Sequence, residues 1–137
     1  MSNSLQTLFR LREHARKESQ ARLQQAQGQR DDQDERVQAV RRAVEEARND
    51  RDPADLLSIA AWHTYRLRQE LVERREVARL HQRERDLEVA RTTHGGRVRD
   101  ELAIGNAIDA ACLREAEDAL RQETRTLDEV GARRRVA

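Results

Sequence analysis

The side chains best suited to catalysis or metal binding are scattered along this chain. The four histidines are His14, His63, His81 and His94. Their separations of 49, 18 and 13 residues match no metal-binding motif. Cys112 lies near an apolar repeat without a neighbouring base, which is typical of a small apolar filler. Gly95-Gly96 lacks the Lys-Ser/Thr of a phosphate loop. The sequence therefore predicts no enzyme, no metal site and no cofactor.

The composition favours long helices over a globular domain. Charged residues make up 39% of the 137 residues and apolar residues 36%, with one Phe, one Trp and one Tyr. A compact core needs more apolar surface than this, whereas long helices can pack along a narrow seam. Disorder is disfavoured because glycine and proline are scarce and helix formers dominate.

Charge, hydropathy and cysteine usage limit the partners and the compartment. The net charge of +1 gives no electrostatic footprint for nucleic acid. No apolar run approaches the ~20 residues that span a bilayer. A single cysteine, without a recognisable signal peptide, fits a reducing compartment. We therefore expect a cytoplasmic protein that neither binds nucleic acid nor inserts in the membrane.

Residues 49–55 are predicted to join two antiparallel helices. Asp52 can cap a helix, and Pro53 suits the first helical position, where a missing N–H is tolerated. Asp55 places a negative charge in the first turn. We predict an all-α fold: a long antiparallel two-helix coiled-coil hairpin in which helix two is longer and overhangs. The single domain, residues 1–137, has helix one at about 4–49, a turn at 50–53 and helix two at about 53–131.

A heptad repeat defines the predicted seam of the first helix. One set of seam positions holds Leu5, Arg12, Ser19, Ala26, Gln33, Val40 and Ala47. The other holds Phe9, Arg16, Leu23, Arg30, Val37 and Val44. The seam positions are apolar at both ends of the helix but mostly polar in its middle, so residues 24–35 are expected to be the most loosely packed part of the helix.

The second helix is most apolar at its start and has a weak point further on. Its apolar residues begin with Leu56, Leu57, Ile59, Ala60, Ala61, Trp62, Tyr65, Leu67 and Leu71, and its seam continues through Ala78, Leu80, Leu87 and Ala90. Gly95-Gly96 costs about 2 kcal/mol of helix stability and is a candidate break at 95–96. If residues near 49 and 56 face each other at the turn, the residue numbers of any two residues that face each other across the helices should add up to about 105. Gly96 then lies opposite Phe9, and the glycines either make room for its ring or form a hinge.

Apolar residues recur beyond Gly96, where the first helix is expected to have no residues left to pair. They are Val98, Leu102, Ile108, Cys112, Ala116, Leu120, Leu127 and Val130. This part is either an overhang of ~30 residues, ~45 Å long, or a third helix that folds back. The overhang is favoured because two glycines make a poor connection. An overhang with an apolar stripe predicts a docking surface for a partner.

Trp62 and Tyr65 are three residues apart and hold two of the three aromatic side chains. They either close the core at the tip of the hairpin or present an anchor to a partner, as aromatic residues often do at interface centres.

Four stretches carry a family resemblance. They are Phe9-Arg10-Leu11-Arg12-Glu13-His14-Ala15-Arg16-Lys17-Glu18, Ala21-Arg22-Leu23-Gln24-Gln25-Ala26, Trp62-x-x-Tyr65, and Thr126-Leu127-Asp128-Glu129-Val130 followed by Arg133. They resemble the FliJ family, the small coiled-coil component of bacterial flagellar export, and the related YscO-type proteins of type III injectisomes. The double glycine and the weak middle of helix one depart from the family pattern.

The resemblance implies a stalk that enters the ring of a hexameric export ATPase. It also implies contacts with the cytoplasmic domain of the export gate membrane protein and with export chaperones, at the inner-membrane export apparatus. When the family's export-gate contacts are transferred to this sequence, the candidate contact residues are Trp62, Tyr65, Arg66 and Gln69. Arg114, Arg121 and Arg125 share one helical face, which either suits acidic loops of the ring or is simply solvated. The alternative function is a self-associating structural coiled coil that forms a dimer or filament.

Overall fold

Two long helices make up the computed structural model, which describes residues 3–49 and 56–136. The helices are α1 (Asn3–Asn49), with 47 residues, and α2 (Leu56–Val136), with 81. They pack against each other as a hairpin, and the described residues contain no strand. The predicted all-α hairpin with a longer second helix is therefore confirmed. The predicted turn at 50–53, with Asp52 and Pro53, lies outside the described residues.

Helix α2 runs through the double glycine as one continuous element. Neither Gly95 nor Gly96 has a positive φ, and both are helical. The chain therefore does not fold back as a third helix beyond this point. Three arginines in the last turn place positive charge where the helix dipole favours it, at Arg133, Arg134 and Arg135.

The chain divides into two compact units. The turn-side unit contains Ser19–His94, and the terminal unit contains Met1–Glu18 and Gly95–Ala137. Both units include parts of α1 and α2, so each has its own stretch of seam. No helix among the described residues has the length and hydropathy needed to cross a bilayer.

The heptad repeat predicted the inward positions of α1 correctly. Every residue of the two predicted sets is buried or half-buried, and most other positions of α1 are exposed. In α2, steps of seven from Ile59 mark one line of seam positions, all buried or half-buried: Ile59, Arg66, Glu73, Leu80, Leu87, His94, Glu101 and Ile108. Ala78, which we predicted on the seam, is exposed, and Val77 lies half-buried instead.

The pairing register differs from the prediction by about one heptad. Paired residue numbers add up to 113 for Ser19 with His94 in the turn-side unit, and to 114 for Phe9 with Gly105 in the terminal unit. The predicted value of about 105 is wrong. A shift of seven residues preserves the heptad pattern, so the same side chains face inward in either register.

The prediction that Gly96 accommodates Phe9 is consequently wrong. A Cβ at Gly96 would meet no atom within 4 Å, whereas a Cβ at Gly105 would lie 3.7 Å from Cε2 of Phe9. Gly105 is therefore the glycine beside the phenylalanine ring. The hinge interpretation of Gly95-Gly96 stays a prediction.

Candidate functional site

The turn-side unit is held by a narrow apolar seam. Val37 is fully buried, and it is joined by four other buried apolar side chains: Val44, Ala47, Leu80 and Leu87. They come from both helices, as a heptad seam requires. This unit therefore has a small core of its own.

Two polar seam residues of the turn-side unit are satisfied across the helix pair. Buried Gln33 donates through Nε2 to the backbone oxygen of Glu76 at 3.0 Å and to its carboxylate at 2.5 Å. Buried Ser19 hydrogen-bonds through Oγ to Nδ1 of His94 at 3.0 Å. Such bonds specify register, because a shift of seven residues would leave buried polar groups without these partners. Arg30, a third polar seam residue, bonds within its own helix: its guanidinium donates a hydrogen bond to Asp31, which raises the pKa of Arg30.

Ion pairs join the two helices in both units, at Arg41–Glu73 and Arg48–Glu70 in the turn-side unit, but the described part of the terminal unit has no buried residues beside them. Arg16 on α1 forms an ion pair with Glu101 on α2, and Arg12 lies 3.5 Å from Asp100. Phe9 is half-buried and packs beside Gly105, where it lines a shallow groove with Gln6, Arg10, Ile108 and Asp109. No residue described in this unit is buried.

Residues 112–136 of α2 form an exposed segment that we call the C-terminal arm. Every residue of the arm except Gly131 is exposed. Helix α1 begins at Asn3, and its first half-buried residue, Leu5, falls opposite the last half-buried seam residues of α2, around Ile108. The predicted overhang is thus present, but it begins near residue 112 and not directly after Gly96. At 1.5 Å per residue it is about 37 Å long.

The apolar residues of the arm lie on a different side of α2 from the seam. Leu113, Leu120 and Leu127 recur in steps of seven and are 63%, 63% and 68% exposed. Leu113 is five positions after the seam residue Ile108, which at about 100° per residue turns it about 140° away from the seam. Continuing the seam line itself by sevens gives polar residues, namely Glu115, Gln122 and Glu129.

We call the exposed apolar side of the arm the leucine face. It consists of Leu113, Ala116, Leu120, Leu127 and Val130. Leu113 was not predicted, and the other four residues were predicted to continue the seam. The spacing of seven between the three leucines was the signal that could have separated the two faces.

The three predicted contact arginines lie in the arm but not on the leucine face. Arg114, Arg121 and Arg125 are all exposed. Arg121 lies 3.7 Å from Asp118, and both side chains are at least 70% exposed, so this pair contributes little to stability. Overall, the arm is electrically balanced, because six arginines are offset by six carboxylates. The leucine face, and not a net charge, therefore distinguishes the surface of the arm.

The second predicted contact region lies near the start of α2. Trp62 is half-buried, its ring contacts His63 edge-on at 5.0 Å, and the guanidinium of Arg66 sits 5.6 Å from the ring centroid. Gln69 is also half-buried, whereas Tyr65 is 48% exposed. The two aromatic residues are thus separated by role: Trp62 packs inward, and Tyr65 faces outward.

The structure assembles no cluster of metal ligands among residues 3–49 and 56–136. Cys112 is exposed at the start of the arm. His94 is hydrogen-bonded to Ser19 in the seam.

Comparison with known proteins gives no relative for this chain. No family model, curated protein or solved structure matches it. The geometry of the hairpin and its arm is therefore the basis for a functional proposal.

Proposed function

We propose that this chain is a non-enzymatic stalk of a type III protein export apparatus, flagellar or injectisome. In this proposal one end of the hairpin enters the ring of the hexameric export ATPase. Other parts contact the cytoplasmic domain of the export gate and the export chaperones. The protein then works on the cytoplasmic side of the inner membrane, peripheral to the export apparatus.

The observation that carries the proposal is the C-terminal arm. A helix of about seven turns with three widely exposed leucines on one side is unusual in a small chain unless a partner covers it. An amphipathic helix presented in this way suits an apolar groove or a ring lumen. The seam side of the same arm is polar, so only one side is suited to apolar docking.

The hairpin also separates two functions along the chain. The turn-side unit buries its apolar seam and supports Tyr65 on its outer surface, where a gate protein could contact it with the neighbouring Arg66 and Gln69. The terminal unit provides the arm for the ATPase, with Arg114, Arg121 and Arg125 outside the leucine face. The stretches that resemble the FliJ and YscO families occur in both units, which supports assigning a contact to each.

The test is the rate of ATP hydrolysis by the export ATPase of the same organism, with and without this protein. We expect stimulation of several-fold, and we expect Leu120→Arg to remove it, because a cation on the leucine face would have to be desolvated on docking. Leu67→Arg is the matched control: Leu67 is 65% exposed on α2 outside the arm, so this variant should stimulate normally.

An unchanged hydrolysis rate with a folded wild-type protein would refute the stalk assignment. Equal stimulation by wild type and Leu120→Arg would instead show that the ATPase contacts another part of the chain.

A further inference from the structure

We propose that two copies of this chain pair antiparallel through the leucine faces of their C-terminal arms. The partner is a second copy because this face is self-complementary: when two copies run antiparallel, apolar residues face apolar residues and an acidic residue faces a basic one. This inference goes beyond the stalk function and does not depend on it.

Two lines of residues in steps of seven define the surface that would pair. The first line holds Asn106, Leu113, Leu120, Leu127 and Arg134. The second holds Asp109, Ala116, Glu123 and Val130. All of these residues belong to the terminal unit, and all are exposed. The lines are three positions apart, which is the separation of the two core positions in a coiled coil.

Antiparallel pairing centred between Arg121 and Gln122 matches one line with the other. Leu113 then packs against Val130 of the second copy, and Ala116 against Leu127 of the second copy. Each of these contacts occurs twice, because the pairing has two-fold symmetry. Apolar side chains that are now exposed would therefore cover one another on either side of the centre of the pairing.

The charges on the two lines decide the orientation. In the antiparallel pairing, Asp109 of each copy lies opposite Arg134 of the other, so that two ion pairs close the ends. Glu123 lies beside Leu120 of the second copy, where its methylene groups can pack while its carboxylate reaches water. A parallel pairing in register would place Asp109, Glu123 and Arg134 each opposite the identical residue of the second copy. Like charges directly opposite one another are unfavourable, so the antiparallel orientation is preferred.

The paired length is modest and implies a reversible dimer. Residues 109–134 span about 39 Å at 1.5 Å per residue, or between three and four heptads. Because only three leucines and one valine per copy anchor it, we expect a dissociation constant on the order of micromolar.

Pairing would regulate access to the arm. The leucine face that docks a larger partner is the same face that the second copy covers, so the two complexes exclude each other. The dimer thus keeps an exposed apolar surface covered until a partner of higher affinity displaces the second copy.

The first experiment is sedimentation equilibrium over a concentration series from about 0.1 to 100 µM, a range that brackets the expected micromolar constant. We expect the mass to rise from monomer to dimer. Leu113→Arg should remain monomeric throughout, because its guanidinium would face the apolar Val130 of the second copy, whereas the matched variant Leu67→Arg should dimerise as the wild type does. Helix content by circular dichroism checks that both variants are folded. A wild-type monomer at every concentration, or a dimer unaffected by Leu113→Arg, would overturn the proposal.

Charge reversal tests the orientation. Asp109→Arg and Arg134→Asp alone should each weaken dimerisation by roughly tenfold, because each turns two attractive exposed pairs into repulsive ones. The double variant Asp109→Arg/Arg134→Asp restores opposite charges in the antiparallel arrangement and should recover wild-type affinity. Failure of the double variant to recover would contradict the proposed pairing.

A disulfide test uses the natural cysteine. Cys112 and Arg133 lie on the same edge of the leucine face, and the antiparallel pairing brings Cys112 close to position 133 of the second copy. Oxidised Arg133→Cys should therefore form links between positions 112 and 133 of different copies, identified by peptide mapping. Wild-type links between Cys112 and Cys112 would indicate a parallel dimer and rule the model of pairing out. These outcomes do not involve the ATPase, so they stand whether or not the stalk function is correct.

Discussion

The two units of this hairpin share one heptad pattern but use it differently. All of the described residues that are buried lie in the turn-side unit: Ser19, Gln33, Val37, Val44, Ala47, Leu80 and Leu87. The terminal unit, over residues 3–18 and 95–136, has none. In that unit the seam positions of α1 include Arg12 and Arg16, which bond carboxylates on α2.

This difference shows how one pattern can provide both stability and accessibility. Burial of apolar side chains stabilises the turn-side unit without any partner. Ion pairs near the surface contribute less, so the terminal unit is expected to open more readily. That unit also carries the C-terminal arm, whose leucine face requires a partner to become buried.

The largest expected difference between the units is in the free energy of unfolding lost when a leucine is replaced by alanine. Leu87→Ala should lower the free energy of unfolding by about 2–5 kcal/mol, since Leu87 is only 6% exposed in the seam. Leu113→Ala, on the leucine face, should change it by less than about 0.5 kcal/mol. Urea unfolding followed by circular dichroism, at a concentration where the protein is monomeric, measures both. Equal losses would mean that the arm is packed in solution.

A smaller effect is expected from the ion pair of the terminal unit. Arg16→Met keeps most of the side-chain volume but leaves the half-buried Glu101 without this guanidinium, and should cost about 1–2 kcal/mol. Hydrogen exchange should accelerate at residues 5–18 and 97–108, with the amides around Val37 unaffected. The double variant Arg16→Met/Glu101→Met should recover part of the loss. Uniform acceleration along the chain would show that the units do not open separately.

The smallest effect is expected at the glycines. Gly96→Ala should raise the free energy of unfolding by about 0.5–1 kcal/mol, because alanine is the better helix former and the new Cβ would meet no atom within 4 Å. Gly105→Ala should give a similar gain, since its Cβ would make an ordinary contact with the Phe9 ring at 3.7 Å. Thermal unfolding detects both. A destabilising Gly96→Ala would favour the hinge interpretation of the double glycine.

Several parts of the candidate site were predictable and others were not. The exposed overhang followed from helix lengths and the apolar residues after Gly96, which are sequence properties. The leucine face could also have been found from the spacing of its leucines, but its exposure depends on where α1 stops covering α2, which only the structure shows. Similarly, the spacing of Trp62 and Tyr65 suggested a shared face, but only packing against neighbouring side chains left Tyr65 exposed and Trp62 half-buried.

The sequence by itself determined which side of α1 points inward. A side chain's direction around a helix depends only on its position in the repeat, so the inward residues of α1 could be identified without a partner. Only the tertiary structure decided the register. Because a shift of seven residues leaves the heptads aligned, the choice depended on particular cross-helix contacts, such as Gln33 with Glu76 and Ser19 with His94. That choice determined where α1 ends along α2, and therefore how much of α2 is left as an arm.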